Sequence, residues 1–180
     1  MVYMFLAEGF EEIEALCPLD LLRRAGVEIK TVSVGGGDFV CGSHGIAVKA
    51  DMKDVEFSDS KPEMVILPGG LPGTTNLEGS DIVKKAIEDT LFCDGYVCAI
   101  CAAPSILGKR GILCGKEAIC FPGFEKYLEG AKISDKKVVR DGRIITGAGM
   151  GVALDFGLAL VEALLGEGKA RELKSAVLAD

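Results

Sequence analysis

Short apolar runs alternate with helix-like segments along the chain, and this alternation constrains the fold more than any other feature. The runs are rich in β-branched and aromatic residues and predict strands at Val2–Ala7, Val27–Val34, Met64–Pro68, Gly95–Ile100 and Arg143–Thr146. Helices are predicted at Glu11–Ala25, Asp81–Phe92, Ala102–Arg110 and Gly151–Leu165. Because such alternation produces right-handed crossovers, it predicts an α/β three-layer sandwich, with a mostly parallel central sheet and helices on both faces.

A few segments depart from this alternation. Val34–Val48 is predicted to form a glycine-rich turn and a small edge hairpin, and Ala131–Gly142 a second hairpin that turns at Asp141–Gly142. Pro18 lies inside the first helix and is expected to kink it or to start a fresh turn. No internal repeat or linker is found, so residues 1–180 are predicted to form one domain.

Charge and hydropathy exclude several classes of function. The net charge of -7 argues against a nucleic-acid partner, which requires a basic face. The longest apolar stretch, Gly151–Leu165, contains two acids and is shorter than the roughly 20 residues of a membrane span. The first residues carry no basic leader, so we expect a soluble, cytoplasmic protein. Seven cysteines without an export signal do not predict a disulfide framework.

One cysteine occupies a position suited to chemistry. Cys101 follows the buried strand at the point where a helix is predicted to begin, and Pro104 is tolerated in the first helical turn. Unpaired backbone N–H groups and the positive end of the helix dipole favour thiolate over thiol at such a junction. Cys101 is therefore a candidate nucleophile, and the alternative is an inert cysteine buried in the core.

The other candidate residues follow neighbouring strands, because ligands of parallel α/β sheets collect at the carboxyl ends of the strands. Glu8, Glu11 and Glu12 are interpreted as solvated acids at a helix start. Glu14 lies between apolar neighbours, where a drying pocket would raise its pKa and let it donate a proton to a thiolate. The alternative for Glu14 is an ordinary helix acid. In the loop after the third strand, Gly69 and Gly70 are candidates for backbone oxyanion donors.

Other motifs are weaker. Cys98 and Cys101 form a C-x-x-C, but residues three apart on a strand point to opposite faces, so neither a disulfide nor zinc binding is predicted. The loop of Gly69 and Gly70 lacks the ending of a phosphate loop, and Gly147–Gly151 lacks the third glycine of a dinucleotide fingerprint. A hydrolase triad would need His44, the single histidine, which is predicted to be exposed in the first hairpin. No cofactor and no metal are predicted.

The motifs EGFEEIEA, LPGG, AICAAP and RIITGAGMG…DFGLALVEALLG together resemble the ThiJ/PfpI superfamily, in the branch of the DJ-one deglycase and its bacterial relatives. The resemblance is collinear over nearly the whole chain. It implies a flavodoxin-like sandwich, a homodimer, and a reactive cysteine at Cys101 with a protonated glutamate at Glu14. It also implies backbone oxyanion donors at Gly70 and Ala102.

The chain departs from that family at positions that matter for chemistry. Ala102 replaces the histidine that follows the cysteine in protease-like relatives, and Phe121 precedes Pro122 where the DJ-one branch usually has histidine. Peptidase activity is therefore not expected. The leading hypothesis is a glyoxalase or deglycase acting, through the Cys101 thiolate and Glu14, on small aldehydes or glycated substrates. The alternative is a redox-responsive stress protein or chaperone without turnover, whose cysteine is oxidised to sulfinic acid.

Overall fold

A central sheet of seven strands organises the molecule. In a computed structural model that describes residues 1–179, the chain forms eleven strands. They are β1 (Val2–Ala7), β2 (Ile29–Val34), β3 (Phe39–Cys41), β4 (Ala47–Lys49), β5 (Met52–Lys53), β6 (Met64–Leu67), β7 (Tyr96–Ile100), β8 (Glu117–Ala118), β9 (Lys132–Ile133), β10 (Val138–Asp141) and β11 (Ile144–Gly147). The sheet order is β10-β11-β7-β6-β1-β2-β5, and every neighbouring pair is parallel except β10 with β11.

Six helices cover the sheet. They are α1 (Glu12–Arg24), α2 (Gly73–Gly79), α3 (Asp81–Phe92), α4 (Pro104–Lys109), α5 (Ala153–Leu165) and α6 (Glu167–Ala176). Single 3-10 turns lie at Asp54–Glu56, Glu125–Tyr127 and Met150–Val152. The Ser80 side chain caps α3 by accepting a hydrogen bond from the Val83 amide, as its position at the helix start predicts.

Two apolar clusters, one on each face of the sheet, give the three layers. Along β1, Val2, Met4 and Leu6 pack with residues of α1 and α5, whereas Tyr3 and Phe5 pack with residues of α3 and α4. This alternation of burial partners is the period-two pattern of a strand covered on both faces. The predicted α/β sandwich with a mostly parallel sheet is therefore confirmed. Within residues 1–179, no helix is long and apolar enough to cross a membrane.

The departures from the predicted elements are local. Helix α1 runs through Pro18 without ending there. The turn at Asp141–Gly142 exists, but it joins β10 to the core strand β11 instead of closing a hairpin inside Ala131–Gly142. Strand β9 pairs in parallel with β8. The first hairpin is present as the antiparallel pair β3–β4.

The chain order places a crevice beside β1. From β1 the chain first adds β2 on one side and later adds β6 on the other. The loops after β1 and β6 therefore diverge at the carboxyl edge of the sheet, which is where doubly wound sheets bind ligands. The candidate site lies at this edge.

Candidate active site

Cys101 occupies a strained turn directly after β7. Its φ of +65° lies in the left-handed region, which costs a non-glycine residue about 1–3 kcal/mol. Two backbone hydrogen bonds hold it there: its amide donates to the Gly147 carbonyl at 2.9 Å, and its carbonyl accepts from the Phe121 amide at 2.8 Å. Helix α4 begins at Pro104, two residues later than predicted. The side chain is consequently presented, partly buried, at the carboxyl edge of the sheet.

Backbone amides of two loops point at the Cys101 sulfur. The N–H groups of Ala102 and Gly70 both donate hydrogen bonds toward it, and both favour the thiolate. Gly70 has a φ of +87°, and a Cβ there would overlap the backbone nitrogen of Glu11, so the position requires glycine. The expectation that Gly69 would also be an oxyanion donor is wrong, because its amide donates to Glu14 Oε2 at 2.9 Å.

Glu14 lies in the first turn of α1 and is completely buried. Its own amide is capped by the Glu11 carboxylate at 2.7 Å, which fixes the helix start. Oε2 accepts the Gly69 amide, whereas Oε1 is buried without a hydrogen-bond partner among the described residues. Burial raises the pKa of Glu14 to about 7. The structure therefore brings Glu14, Gly70, Cys101 and Ala102 together, as the sequence predicts.

The ionisation of Cys101 differs from the prediction of a simple thiolate. Burial, followed by the charge of the Glu14 carboxylate beside it, raises the pKa of Cys101 to about 12 despite the two backbone donors. Two adjacent groups of this kind titrate as a pair. Near neutral pH the pair retains one proton, and the thiolate forms when that proton resides on Glu14. Glu14 is thus positioned to accept the proton of the thiol.

The environment of Glu12 differs from the one that the sequence predicts. Glu12 is buried, not solvated, and its carboxylate accepts hydrogen bonds from the His44 amide at 2.7 Å and from His44 Nδ1 at 2.8 Å. Burial alone would raise the pKa of Glu12, but the hydrogen bonds from His44 hold it at about 2. The interaction ties the turn between β3 and β4 to the start of α1, and so braces the helix that carries Glu14.

His44 is not part of a hydrolase triad in this structure, and Cys98 is not joined to Cys101. His44 is exposed, as predicted, and its ring bonds Glu12 and Ser43. Cys98 and Cys101 are both free, since Cys98 is buried in β7 and Cys101 lies beyond the strand end. Among residues 1–179, one group of potential metal ligands has its atoms within 4.8 Å of one another, namely Glu11, Glu12 and His44.

The surface that the half-exposed ring of Phe121 forms with Gly149 beside Cys101 is called the mouth of the site. The Phe121 amide holds the Cys101 carbonyl, and the ring lies against Gly149, where an added Cβ would be 3.2 Å from the ring and 4.0 Å from Glu14 Oε1. In the sequence, Phe121 stands out only by comparison with relatives. Phe121 and Gly149 are 28 positions apart in the chain, so no local sequence pattern indicates their contact.

The fold and the site together define a doubly wound α/β protein with a cysteine at a strand–turn–helix elbow, paired with a buried glutamate. This chain belongs to the DJ-1/PfpI family, whose family model matches residues 1–163. The membership confirms the resemblance deduced from the motifs.

Individual relatives match over almost the full chain. Protein dj-1beta of Drosophila melanogaster is 34% identical over 177 residues, covering 97% of this chain and 95% of the relative. The glutathione-independent glyoxalase DJR-1.2 of Caenorhabditis elegans is 29% identical, covering 92% and 89%. The solved structure of oxidized Toxoplasma gondii DJ-1 superimposes with a TM-score of 0.94 at 30% identity, covering 98% and 97%.

Proposed function

We propose that this protein is a glutathione-independent enzyme of the glyoxalase or deglycase type that acts on small reactive carbonyl compounds. The observation that carries the proposal is the pairing of Cys101 with the buried Glu14 beneath two backbone donors. The pair supplies a nucleophile and a proton acceptor without a histidine. A glyoxalase among the relatives supports the same chemistry.

The reaction on methylglyoxal needs no external oxidant. Glu14 takes the thiol proton, and the Cys101 sulfur bonds to the aldehyde carbon as the carbonyl π bond opens. The new oxyanion accepts hydrogen bonds from the Gly70 and Ala102 amides and is then protonated, giving a hemithioacetal. Transfer of the C1 proton to C2 through an enediol oxidises C1 to a thioester and reduces C2 to an alcohol. Water hydrolyses the thioester, which releases lactate and restores the thiol.

Lactate formation from methylglyoxal without added glutathione tests the proposal. Wild-type protein is expected to produce lactate, and Cys101→Ser to reduce the rate to background. Cys114→Ser is the matched control, because Cys114 is exposed and is not part of the site. No lactate above the Cys101→Ser background from wild-type protein would overturn the proposal.

A redox-responsive role is the second candidate, supported by the partial exposure of Cys101 and by an oxidized relative of the same fold. An accessible thiolate reacts with peroxide to give sulfenic and then sulfinic acid. Peptide mass analysis after mild peroxide treatment is expected to place added oxygen on Cys101 ahead of the other six cysteines. Oxidation spread evenly over the cysteines that are partly or fully exposed would contradict this role.

The proposal also covers the domain organisation, oligomeric state, location and partners of the protein. One sheet takes strands from residues 2 to 147, which supports a single domain over residues 1–180. Family membership supports a homodimer. A cytoplasmic location, a small aldehyde or glycated substrate, and the absence of nucleic-acid and membrane partners complete the proposal.

A further inference from the structure

Large apolar side chains adjoin the residues of the Cys101 site. Four large hydrophobic side chains that are about half exposed lie at, or next in sequence to, residues of the site. Ile13 precedes Glu14, Leu71 follows Gly70, Met150 follows Gly149, and Phe121 binds the Cys101 backbone. Half-exposed apolar side chains beside a reactive group are suited to binding an apolar substituent.

Phe121 is the member of this set that is fixed against the reacting groups. Its backbone is anchored by the bond to Cys101 on one side and by the buried Cys120 on the other. Its ring edge contacts Gly149, on the same side as the unpartnered Oε1 of Glu14. The other face of the ring has no aromatic partner among the described residues. A flat substituent on a carbonyl held at Cys101 can therefore stack there.

The acidic groups near the thiol disfavour anionic substrates. The Glu14 carboxylate lies beside the thiol, and the charge of Glu11 acts on Glu14 in turn. The Glu14 carboxylate would therefore repel the carboxylate of an anionic substrate. Neutral substrates are favoured over anionic ones.

From these observations we propose that Phe121 makes the site selective for neutral α-oxoaldehydes that carry an aromatic or bulky apolar substituent, such as phenylglyoxal, over methylglyoxal and over the anionic glyoxylate. The selectivity presupposes the carbonyl chemistry proposed above. The covalent step is unchanged: the sulfur adds to the aldehyde carbon, and the carbonyl oxygen is protonated.

Alkylation rates test the mouth independently of turnover. The rate constants at Cys101 for N-phenyl-iodoacetamide, iodoacetamide and iodoacetate are measured by peptide mass analysis for wild type, Phe121→Ala and Phe121→Leu. The matched control is Phe92→Ala, which removes an almost fully exposed ring at the end of α3. Because each rate is compared with that of iodoacetamide in the same protein, a change in thiol ionisation cancels.

In wild type we expect N-phenyl-iodoacetamide to react faster than iodoacetamide. Iodoacetate should react more slowly than iodoacetamide. Phe121→Ala should lower the aromatic-to-iodoacetamide ratio about tenfold, the effect of losing contact with one face of a phenyl ring. Phe121→Leu should give an intermediate ratio, and Phe92→Ala the wild-type ratio. A ratio that is the same in wild type, Phe121→Ala and Phe121→Leu would overturn the role of Phe121.

Measurements of turnover distinguish a failure of this selectivity from a failure of the proposed function. We expect kcat/KM for phenylglyoxal to exceed that for methylglyoxal in wild type, and the preference to disappear in Phe121→Ala. Equal kcat/KM values in wild type would contradict the selectivity alone. Absence of turnover with both aldehydes would contradict the proposed function, while the alkylation ratios still decide whether Phe121 forms an aromatic-binding mouth.

Discussion

At the scale of single residues, glycines determine how closely the reacting groups approach one another. A Cβ on Gly69 would lie 2.6 Å from both Cys101 Cβ and Glu14 Oε2. The absent side chain allows the β6 loop to lie between the cysteine and the glutamate, and its amide to bind the carboxylate. The sequence predicted a special role for this glycine, but it assigned the amide to the wrong partner, because the depth of Glu14 depends on tertiary packing.

Replacing Gly69 by alanine should therefore disrupt the pair. We expect Gly69→Ala to lower the free energy of unfolding by about 1–3 kcal/mol, because the added methyl group overlaps two neighbours. Cys101 alkylation should also change its pH dependence, since Glu14 loses its position. Urea denaturation and alkylation measure the two effects. Gly79→Ala is the matched control, because nothing lies within 4 Å of that position, and a change there as large as at Gly69 would contradict the argument.

At the scale of secondary-structure elements, the local sequence determines where some helices and strands begin and end, whereas the limits of others depend on tertiary contacts. Strand β1 and helix α3 have the predicted limits, since an apolar run and a Ser80 cap define them. Helix α2 was missed because Gly73–Gly79 has weak helix propensity and depends on contacts such as the Gly73 amide with the Gly9 carbonyl. Helix α6 has an ordinary helical pattern and could have been predicted.

The tie between the β3–β4 hairpin and α1 is the element-scale contact that no local pattern indicates, since Glu12 and His44 are 32 residues apart. The hydrogen bond to Glu12 raises the pKa of His44 in the folded protein. A raised folded pKa gives stability that is fully present below the ordinary value of about 6.5 and is lost as pH rises through the folded value. For Glu12, whose pKa is depressed from 4.5 to about 2, stability is lost as pH falls through that window.

We therefore expect His44→Ala to destabilise the protein more at pH 5.5 than at pH 8.5. Urea denaturation midpoints of wild type and variant at the two pH values measure the difference. Glu12→Gln, alone and combined with His44→Ala, completes a double-mutant cycle that isolates the pair. A destabilisation that is the same at both pH values, or additive effects in the cycle, would contradict an ionic tie.

At the scale of the whole molecule, chain order explains why the site forms where it does. Residues far apart in sequence meet because β1, β6, β7 and β11 end at one edge of the sheet. Strand–helix alternation alone was enough to predict that edge, the helix start that carries Glu14, and the turns that carry Gly70 and Cys101. It could not predict the mouth, because Phe121 lies in the irregular segment after β8, which has no periodic pattern.

The oligomeric state is the prediction that belongs to this scale. The proposed homodimer should have twice the chain mass of 18.9 kDa. Size-exclusion chromatography with light scattering, repeated over a hundredfold dilution, measures the mass directly. A mass of 18.9 kDa at every concentration would contradict the dimer. It would leave the site unaffected, because Cys101 and Glu14 come from one chain.

The central claim is that Cys101 and Glu14 share one proton, so that loss of the other makes the thiol reactive. The pH dependence of Cys101 alkylation by iodoacetamide, followed on the Cys101 peptide, tests it most directly. The wild-type rate should rise with a midpoint near pH 7, the first proton loss of the pair, and then level off.

In Glu14→Gln the internal proton acceptor is gone and the thiol titrates alone. Because burial disfavours the thiolate, its midpoint should lie above the ordinary cysteine value of about 8.5, with no plateau below it. Glu8→Gln is the control, because it removes an exposed carboxylate of the loop after β1 that binds the Cys41 amide and leaves the helix cap at Glu14 intact. Profiles of wild type and Glu14→Gln with the same midpoint would contradict the shared proton, and with it the nucleophile on which the proposed function depends.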